Sequence, residues 1–236
     1  METINTSDSL EEYRTKMAHN RKIRQQAGAI LKRAKKAGIP NKYLRINQKT
    51  FEGILDDTYH KDVSKLASYI YRKPLELLKK EFIIIDGGGS VERKMAGFAI
   101  LFRLIACDRY GMYKNGTELA HQLQSIRTFD AGMGRNDITE NLRGVDTLFI
   151  AECLKDDFRN NFETGRFYDE ILTFRDDHVK PTVISFFNPL PSAIGGAESV
   201  NEMNEPDRFG QYMCLFSKAD KNKDKRFFRI RVKTNG

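Results

Sequence analysis

Apolar residues along this chain fall into two rhythms. Short apolar-rich stretches occupy 81–86, 145–151, 182–187, 211–216 and 227–232, with a shorter one at 112–114. Runs of this length predict strands, and the run through Phe82, Ile83, Ile84 and Ile85 suits a parallel strand covered on both faces. Between the runs the spacing turns helical, at 62–72, in a short piece begun by Pro74, at 94–109, from Thr117 onward and at 158–174. The 94–109 segment is apolar almost all round (Met95, Phe98, Ile100, Leu101, Leu104 and Ile105 among others), which predicts a deeply buried helix. Leu119, Ala120, Leu123 and Ile126 mark the inner face of the helix opened by Thr117. A short extended piece is expected after Lys42, and the Lys/Asp-rich stretch 218–225 reads as an exposed loop. Strands alternating with helices predict an α/β fold with a doubly wound, mostly parallel sheet.

Residues 9–37 read as one basic helix. Asp8 or Ser9 can cap it, Glu11 and Glu12 complement the dipole, and Gly38-Ile39-Pro40 stops it. Its apolar stripe is patchy (Met17, Ile23, Ala27, Ile30, Leu31 and Ala34), and it is expected to lie outside the core. Two readings compete: a solvated face, or an arm whose Ile30 and Leu31 meet a partner while Lys32, Arg33, Lys35 and Lys36 meet protein or nucleic acid. The expected division is a basic helical extension, 1–38, and one larger domain, 39–236.

Charge and cysteines narrow the class only mildly. Among 236 residues there are 40 Lys and Arg against 32 Asp and Glu, a formal charge of +8. That surplus permits nucleic acid binding and also suits an acidic protein partner. Cys107, Cys153 and Cys214 are widely spaced in apolar runs, so they predict buried thiols rather than a disulfide framework or metal knuckle. No signal-peptide pattern and no membrane-spanning run is read, which leaves no membrane partner expected.

The candidate chemistry sits where the first core strand meets the buried helix. Asp86-Gly87-Gly88-Gly89-Ser90 follows a strand and opens a helix, the layout of a phosphate-binding loop. The pattern is broken. Counted from Gly88, Arg93 stands at the second glycine, Lys94 falls on the lysine, and Met95 replaces the magnesium-binding hydroxyl. The strand at 145–151 ends in Ala151-Glu152 where an Asp-Glu pair would stand. Two lost ligands for one ion predict that magnesium-dependent hydrolysis is absent, although Glu152, the usual water-orienting residue, remains. ATP or ADP is expected to bind weakly or not at all, because Arg93 is bulky where close backbone approach is wanted. Gly87, Gly88 and Gly89 also have an ordinary reading as a tight strand-to-helix turn. The phosphate turn of sugar kinases and actin-like ATPases leads into a hairpin, whereas a long apolar helix follows here.

Further segments make a resemblance specific. Ala37-Gly-Ile-Pro-Asn-Lys-Tyr-Leu44, then Thr50-Phe51, resembles the lead-in to the ATPase domain of DnaC/DnaI-type helicase loaders of bacteria and their phages. Leu172-Thr-Phe-Arg175 with Lys180-Pro-Thr-Val-Ile-Ser-Phe-Phe-Asn188 looks like their helix and sensor-1 strand. Asp207-Arg208 is similar to their arginine-finger segment, and Phe228-Arg229 to their final aromatic-arginine pair. The order is colinear from about 37 to 232. The resemblance implies an AAA+-like P-loop three-layer sandwich of phage or plasmid type. In it Gly87, Gly88, Gly89, Lys94 and Glu152 line a nucleotide site, Asn188 faces the γ-phosphate, Arg208 reaches a neighbouring subunit, and Arg229 makes a sensor-2-like contact. Asn188 is equally a turn residue before Pro189, Arg208 and Arg229 suit surface ion pairs, and Arg175 suits a structural helix-end role. The implied protein is a DNA-replication adaptor of the bacterial cytoplasm without ATP hydrolysis, binding a hexameric replicative helicase and single-stranded DNA, with self-assembly left open. The alternatives are a DNA-binding relative of the transposition helpers, or an active ATPase with an unusual loop.

Overall fold

The computed structural model describes residues 6–80, 82–125, 133–153, 162–186 and 227–233. Helix α1 (Thr6–Lys36) leads through a 3₁₀ turn (Asn41–Arg45) to α2 (Gln48–Ile54), α3 (Val63–Arg72) and α4 (Pro74–Leu77). Then come β1 (Phe82–Gly87), α5 (Ser90–Ala106), β2 (Gly111–Asn115), α6 (Gly116–Ser125) and α7 (Met133–Gly144). Strand β3 (Thr147–Cys153), helix α8 (Phe162–Asp177), β4 (Thr182–Phe186) and β5 (Phe227–Val232) complete the described elements. The strands form one sheet in the order β2-β3-β4-β1-β5, and every pairing is parallel.

The period-2 geometry of a strand sorts its side chains onto two faces. Ile83, Ile85, Phe149 and Ala151 join α5 and the N-terminal helices on one face. Phe82, Ile84, Leu148 and Ile150 meet Leu119, Leu142, Ile171 and Leu172 from α6, α7 and α8 on the other. Covering on both faces explains the unbroken apolar run from Phe82 to Ile85, and the result is the expected α/β three-layer sandwich. Beneath α5, Phe98 stacks on Tyr43 at 4.6 Å between ring centres and meets Phe149 edge-on at 5.4 Å.

Several elements differ from the sequence expectation. Helix α1 begins at Thr6, so Asp8 and Ser9 lie within it. Its last turn is part of the core: Ala34 and Ala37 are buried, the Tyr113 N–H donates to the Ala37 carbonyl at 2.8 Å, and Arg33 pairs with Asp108. Alanines carry too little apolar surface to announce a buried face. The extended piece after Lys42 is instead the 3₁₀ turn and α2, the latter capped by Asn47, whose side chain accepts the Thr50 N–H at 2.8 Å. Helix α7 was not anticipated between Ile126 and Val145. Cys153 is buried and Cys107 half-buried, both as free thiols. The expected strand at 211–216, the loop at 218–225, and Cys214 lie outside the described residues.

Among the described residues Arg175 is the largest fully buried side chain, and it pins three segments. Its guanidinium donates to the carbonyls of Leu142, Val145, Asp146 and Pro181 and to Thr182 Oγ1, at 2.7–3.3 Å. Burial pulls its pKa down to about 10, partly opposed by the Asp146 charge, and this leaves it cationic at neutral pH. It has the structural helix-end role. Arg175→Met strands these carbonyls and is expected to cost about 3–5 kcal/mol in urea unfolding. Arg175→Lys should fail to restore stability, because one ammonium cannot serve acceptors on so many sides. Stability of both variants within about 1 kcal/mol of the parent would sink this account.

Candidate functional site: a loop filled by its own arginine

The glycine loop lies at the carboxyl ends of the parallel strands, the usual ligand position in open α/β sheets. Gly87 and Gly88 both adopt positive φ, 77° and 53°. A Cβ on Gly87 would stand 2.7 Å from the Val232 carbonyl oxygen, and one on Gly88 would stand 2.7 Å from that of Lys233. Two of the glycines are therefore demanded by the turn and by the end of β5 pressing on it. Gly89 has ordinary extended angles and is the N-cap of α5.

Arg93 turns back from the first turn of α5 into the loop. Its Nη1 donates to the carbonyls of Gly87 at 2.9 Å and Gly88 at 2.7 Å. Its Nε and Nη2 donate to the two carboxylate oxygens of Glu152 at 3.2 and 2.9 Å, a bidentate pair. Both side chains are sealed from solvent, with Arg93 3% and Glu152 5% exposed. A phosphate-binding loop aims N–H groups at an anion. Here two carbonyls and a carboxylate converge on a cation, so the interior has the opposite electrostatic sense. The residues present do not fit a magnesium-bound nucleotide.

Glu152 is held for this contact. It sits at the irregularity between Ile150 and Cys153 with φ of 58°, a conformation costing a non-glycine residue roughly 1–2 kcal/mol. Its N–H donates to Ser185 Oγ at 3.0 Å, and its carbonyl accepts from Thr117 Oγ1 at 3.3 Å. Lys94 is half-buried and has no hydrogen-bond or ion-pair partner among the described residues. Met95, at the expected hydroxyl position, packs on the core, and Ala151 is buried within it.

A second buried pair flanks the loop. Asp86, fully buried, pairs with Arg229 and lies 3.4 Å from Arg231 Nη2. The two guanidinium groups stand over the Tyr59 ring at 5.6 and 4.8 Å, and the Arg231 N–H donates to His60 Nε2 at 2.9 Å. Sequence reasoning placed Arg229 at a phosphate; in the fold its guanidinium is engaged with Asp86 at the root of the loop. Asn188 and Arg208 lie outside the described residues. On α1, Ile30 and Arg33 are half-buried, whereas Leu31, Lys32, Lys35 and Lys36 are exposed. Reasoning from the motif took Arg93 as an obstruction and missed it as a partner. The available signal was that Arg93 and Ala151-Glu152 depart from the motif together. No group of His, Cys, Asp and Glu among the described residues is arranged to hold a metal ion.

Strand order, two-sided helical cover and the strand-loop-helix site define an AAA+-type P-loop fold. Among solved structures the chain is similar to the replication initiator DnaA bound to AMPPCP and single-stranded DNA, with a TM-score of 0.50 and 10% identity over 79% of this chain. The chain spans about half of that structure, 51% of its length. It is also similar to the DnaC helicase loader, with a TM-score of 0.45 and 14% identity over 82% of this chain and 99% of that one. No protein-family model matches the sequence, and no curated protein matches it either.

Removing either member of the Arg93–Glu152 pair leaves the other charge buried without its partner. Glu152→Ala and Arg93→Ala should each lose about 3–5 kcal/mol in urea unfolding. The double variant should lose less than the summed single losses, by about 2 kcal/mol. Strict additivity would remove the pair from any account of the loop.

Proposed function

We propose that this chain is a non-hydrolysing AAA+-type adaptor of DNA replication, of the helicase-loader kind, that binds a replicative helicase and single-stranded DNA. The observation carrying the non-hydrolysing half is the guanidinium of Arg93 in the loop, backed by Met95 and Ala151 where magnesium ligands would stand. The replication half rests on the colinear motifs resembling helicase loaders and is compatible with the shared fold. Loading needs different affinity for two states of the helicase rather than hydrolysis. Shifting a ring from almost wholly closed to almost wholly open takes about 5.5 kcal/mol of differential binding, within reach of an ordinary protein interface. The setting of this activity is the bacterial cytoplasm, in a phage- or plasmid-borne system.

Two measurements test this reading. Phosphate release from ATP should stay at background with DNA and helicase present, and calorimetry should give no tight magnesium-dependent nucleotide binding. Turnover that needs magnesium and disappears in Lys94→Ala would overturn the non-hydrolysing assignment.

The helicase complex should appear as a co-eluting peak in size-exclusion chromatography with the host's hexameric helicase. Removal of residues 6–29 should abolish it, while sparing Ala34 and Ala37, which the core requires. Full-length chain that never co-elutes with the helicase, at any nucleotide or DNA condition, would end the loader reading.

A further inference from the structure

We propose that α1 is a grip for double-stranded DNA, binding the phosphate backbone through one continuous basic face, independently of whether the chain engages a helicase. From Tyr13 to Phe51 the sequence contains no Asp or Glu and 12 of the chain's 40 Lys and Arg. Four acidic residues, Glu2, Asp8, Glu11 and Glu12, precede this segment, and the remaining 28 basic residues are matched by 28 acidic ones from Glu52 onward, so the surplus positive charge of the protein resides in this one segment. A charge concentrated this sharply beside a body of balanced charge is an electrostatic footprint for a polyanion.

The helix sets the direction of that charge. At 3.6 residues per turn, Ile30, Ala34 and Ala37 share one side, and burial identifies that side as the one facing the core. Arg21, Lys32 and Lys36 fall on the opposite side, with Arg24 and Lys35 along one flank and Lys22 along the other. All six are exposed, and none has a hydrogen-bond or ion-pair partner among the described residues. Arg33, toward the core, is the exception and pairs with Asp108. Neighbouring like charges such as Lys32 and Lys36 cost an isolated helix about 0.2–0.5 kcal/mol per pair. A polyanion reverses that cost.

Duplex is favoured over a single strand by what the face lacks. Between Arg14 and Lys42 there is no Phe, Tyr or Trp. Single-strand binders gain about 1–3 kcal/mol per base by stacking on such rings, and this surface offers none. An acidic protein partner is disfavoured on similar grounds. Apolar anchors carry protein interfaces, and the exposed Met17, Ile23 and Leu31 lie on the flank or core side rather than at the centre of the basic face. Duplex DNA presents one negative charge per ~1.7 Å of its axis and needs no anchor. Arg21 to Lys36 spans about 22 Å of helix, enough to follow several phosphates.

The test uses the full chain and fluorescence anisotropy with a labelled duplex of arbitrary sequence about 30 base pairs long, which exceeds the length of α1. The same strand unpaired, and polyglutamate, serve as competitors. Six phosphate contacts predict a slope of about −5 in log affinity against log salt, hence about a 10³-fold loss between about 50 and 200 mM salt. The duplex should bind at least about tenfold tighter than the single strand, the 1.4 kcal/mol step. Lys32→Glu with Lys36→Glu should weaken binding by about tenfold or more and reduce the slope by about 2. Arg21→Glu with Arg24→Glu should act alike, and both variants should keep the parent's circular dichroism and melting temperature. Lys61→Glu with Lys65→Glu, also exposed and outside α1, should leave binding within about twofold, the effect of removing only diffuse charge. Tighter binding to the single strand, equal competition by polyglutamate, or equal loss in the Lys61/Lys65 variant would each overturn the proposal.

Discussion

One guanidinium joins the three segments that meet at the end of the sheet. Arg93 enters from α5, takes the carbonyls of Gly87 and Gly88 that end β1, and takes both carboxylate oxygens of Glu152 that ends β3. Those contacts account for the odd backbone around them. The carbonyls turn inward because the glycines take positive φ, and Glu152 accepts a left-handed conformation because Ser185 and Thr117 hold its amide and carbonyl. A buried ion pair is a poor source of net stability, since desolvation offsets most of its attraction. Here the guanidinium also satisfies two half-buried loop carbonyls, which raises the cost of losing it. The loop is thus complete without any ligand.

The outside of the loop is closed as well. The end of β5 presses on Gly87 and Gly88, the Lys233 N–H donates to the Ile54 carbonyl at 2.9 Å, and Leu55 bridges Val232. Asp86, the residue before the glycines, is tied to Arg229 and Arg231 on the same strand. Rearranging the loop would break contacts to β3 on one side and to β5 and the α2 region on the other. Nucleotide-cycling proteins need a loop that responds to its ligand; this one is held from both sides by the chain itself.

The sheet was legible because a strand covered on both faces must be apolar at successive positions, as Phe82, Ile83, Ile84 and Ile85 are. Helix α5 was legible for the same reason. The buried end of α1 was not, because Ala34 and Ala37 pack through small surfaces that leave no strong periodic signal. Helix α7 carries only Ile138 and Leu142 as described apolar contacts in a polar sequence. The Arg93–Glu152 pair spans 59 positions, and neither periodicity nor motif matching reports on a contact of that range. Motif matching did find the strand-loop-helix position of the glycines. It could not supply the sign of the loop's interior, which depends on carbonyl directions that only the φ angles of Gly87 and Gly88 set.

Helix α5 connects the two unusual features of the molecule. Its first turn supplies Arg93 to the loop, and just beyond its last turn Asp108 pairs with Arg33 of α1. Ala34 and Ala37 lie in the same core cluster as α5, and the Ala37 carbonyl takes the Tyr113 N–H of β2. The basic arm is therefore fixed at its base to the helix that fills the phosphate loop, not joined through a flexible linker. A rigid mount presents a charged face in one direction and lowers the ordering cost of binding. From Glu52 onward 28 basic residues are balanced by 28 acidic ones, which leaves the N-terminal segment as the bearer of the net positive charge. In the DNA grip proposed above, such a mount sets the orientation of the duplex by charge placement, and the loop, whose interior Arg93 fills, takes no part in it.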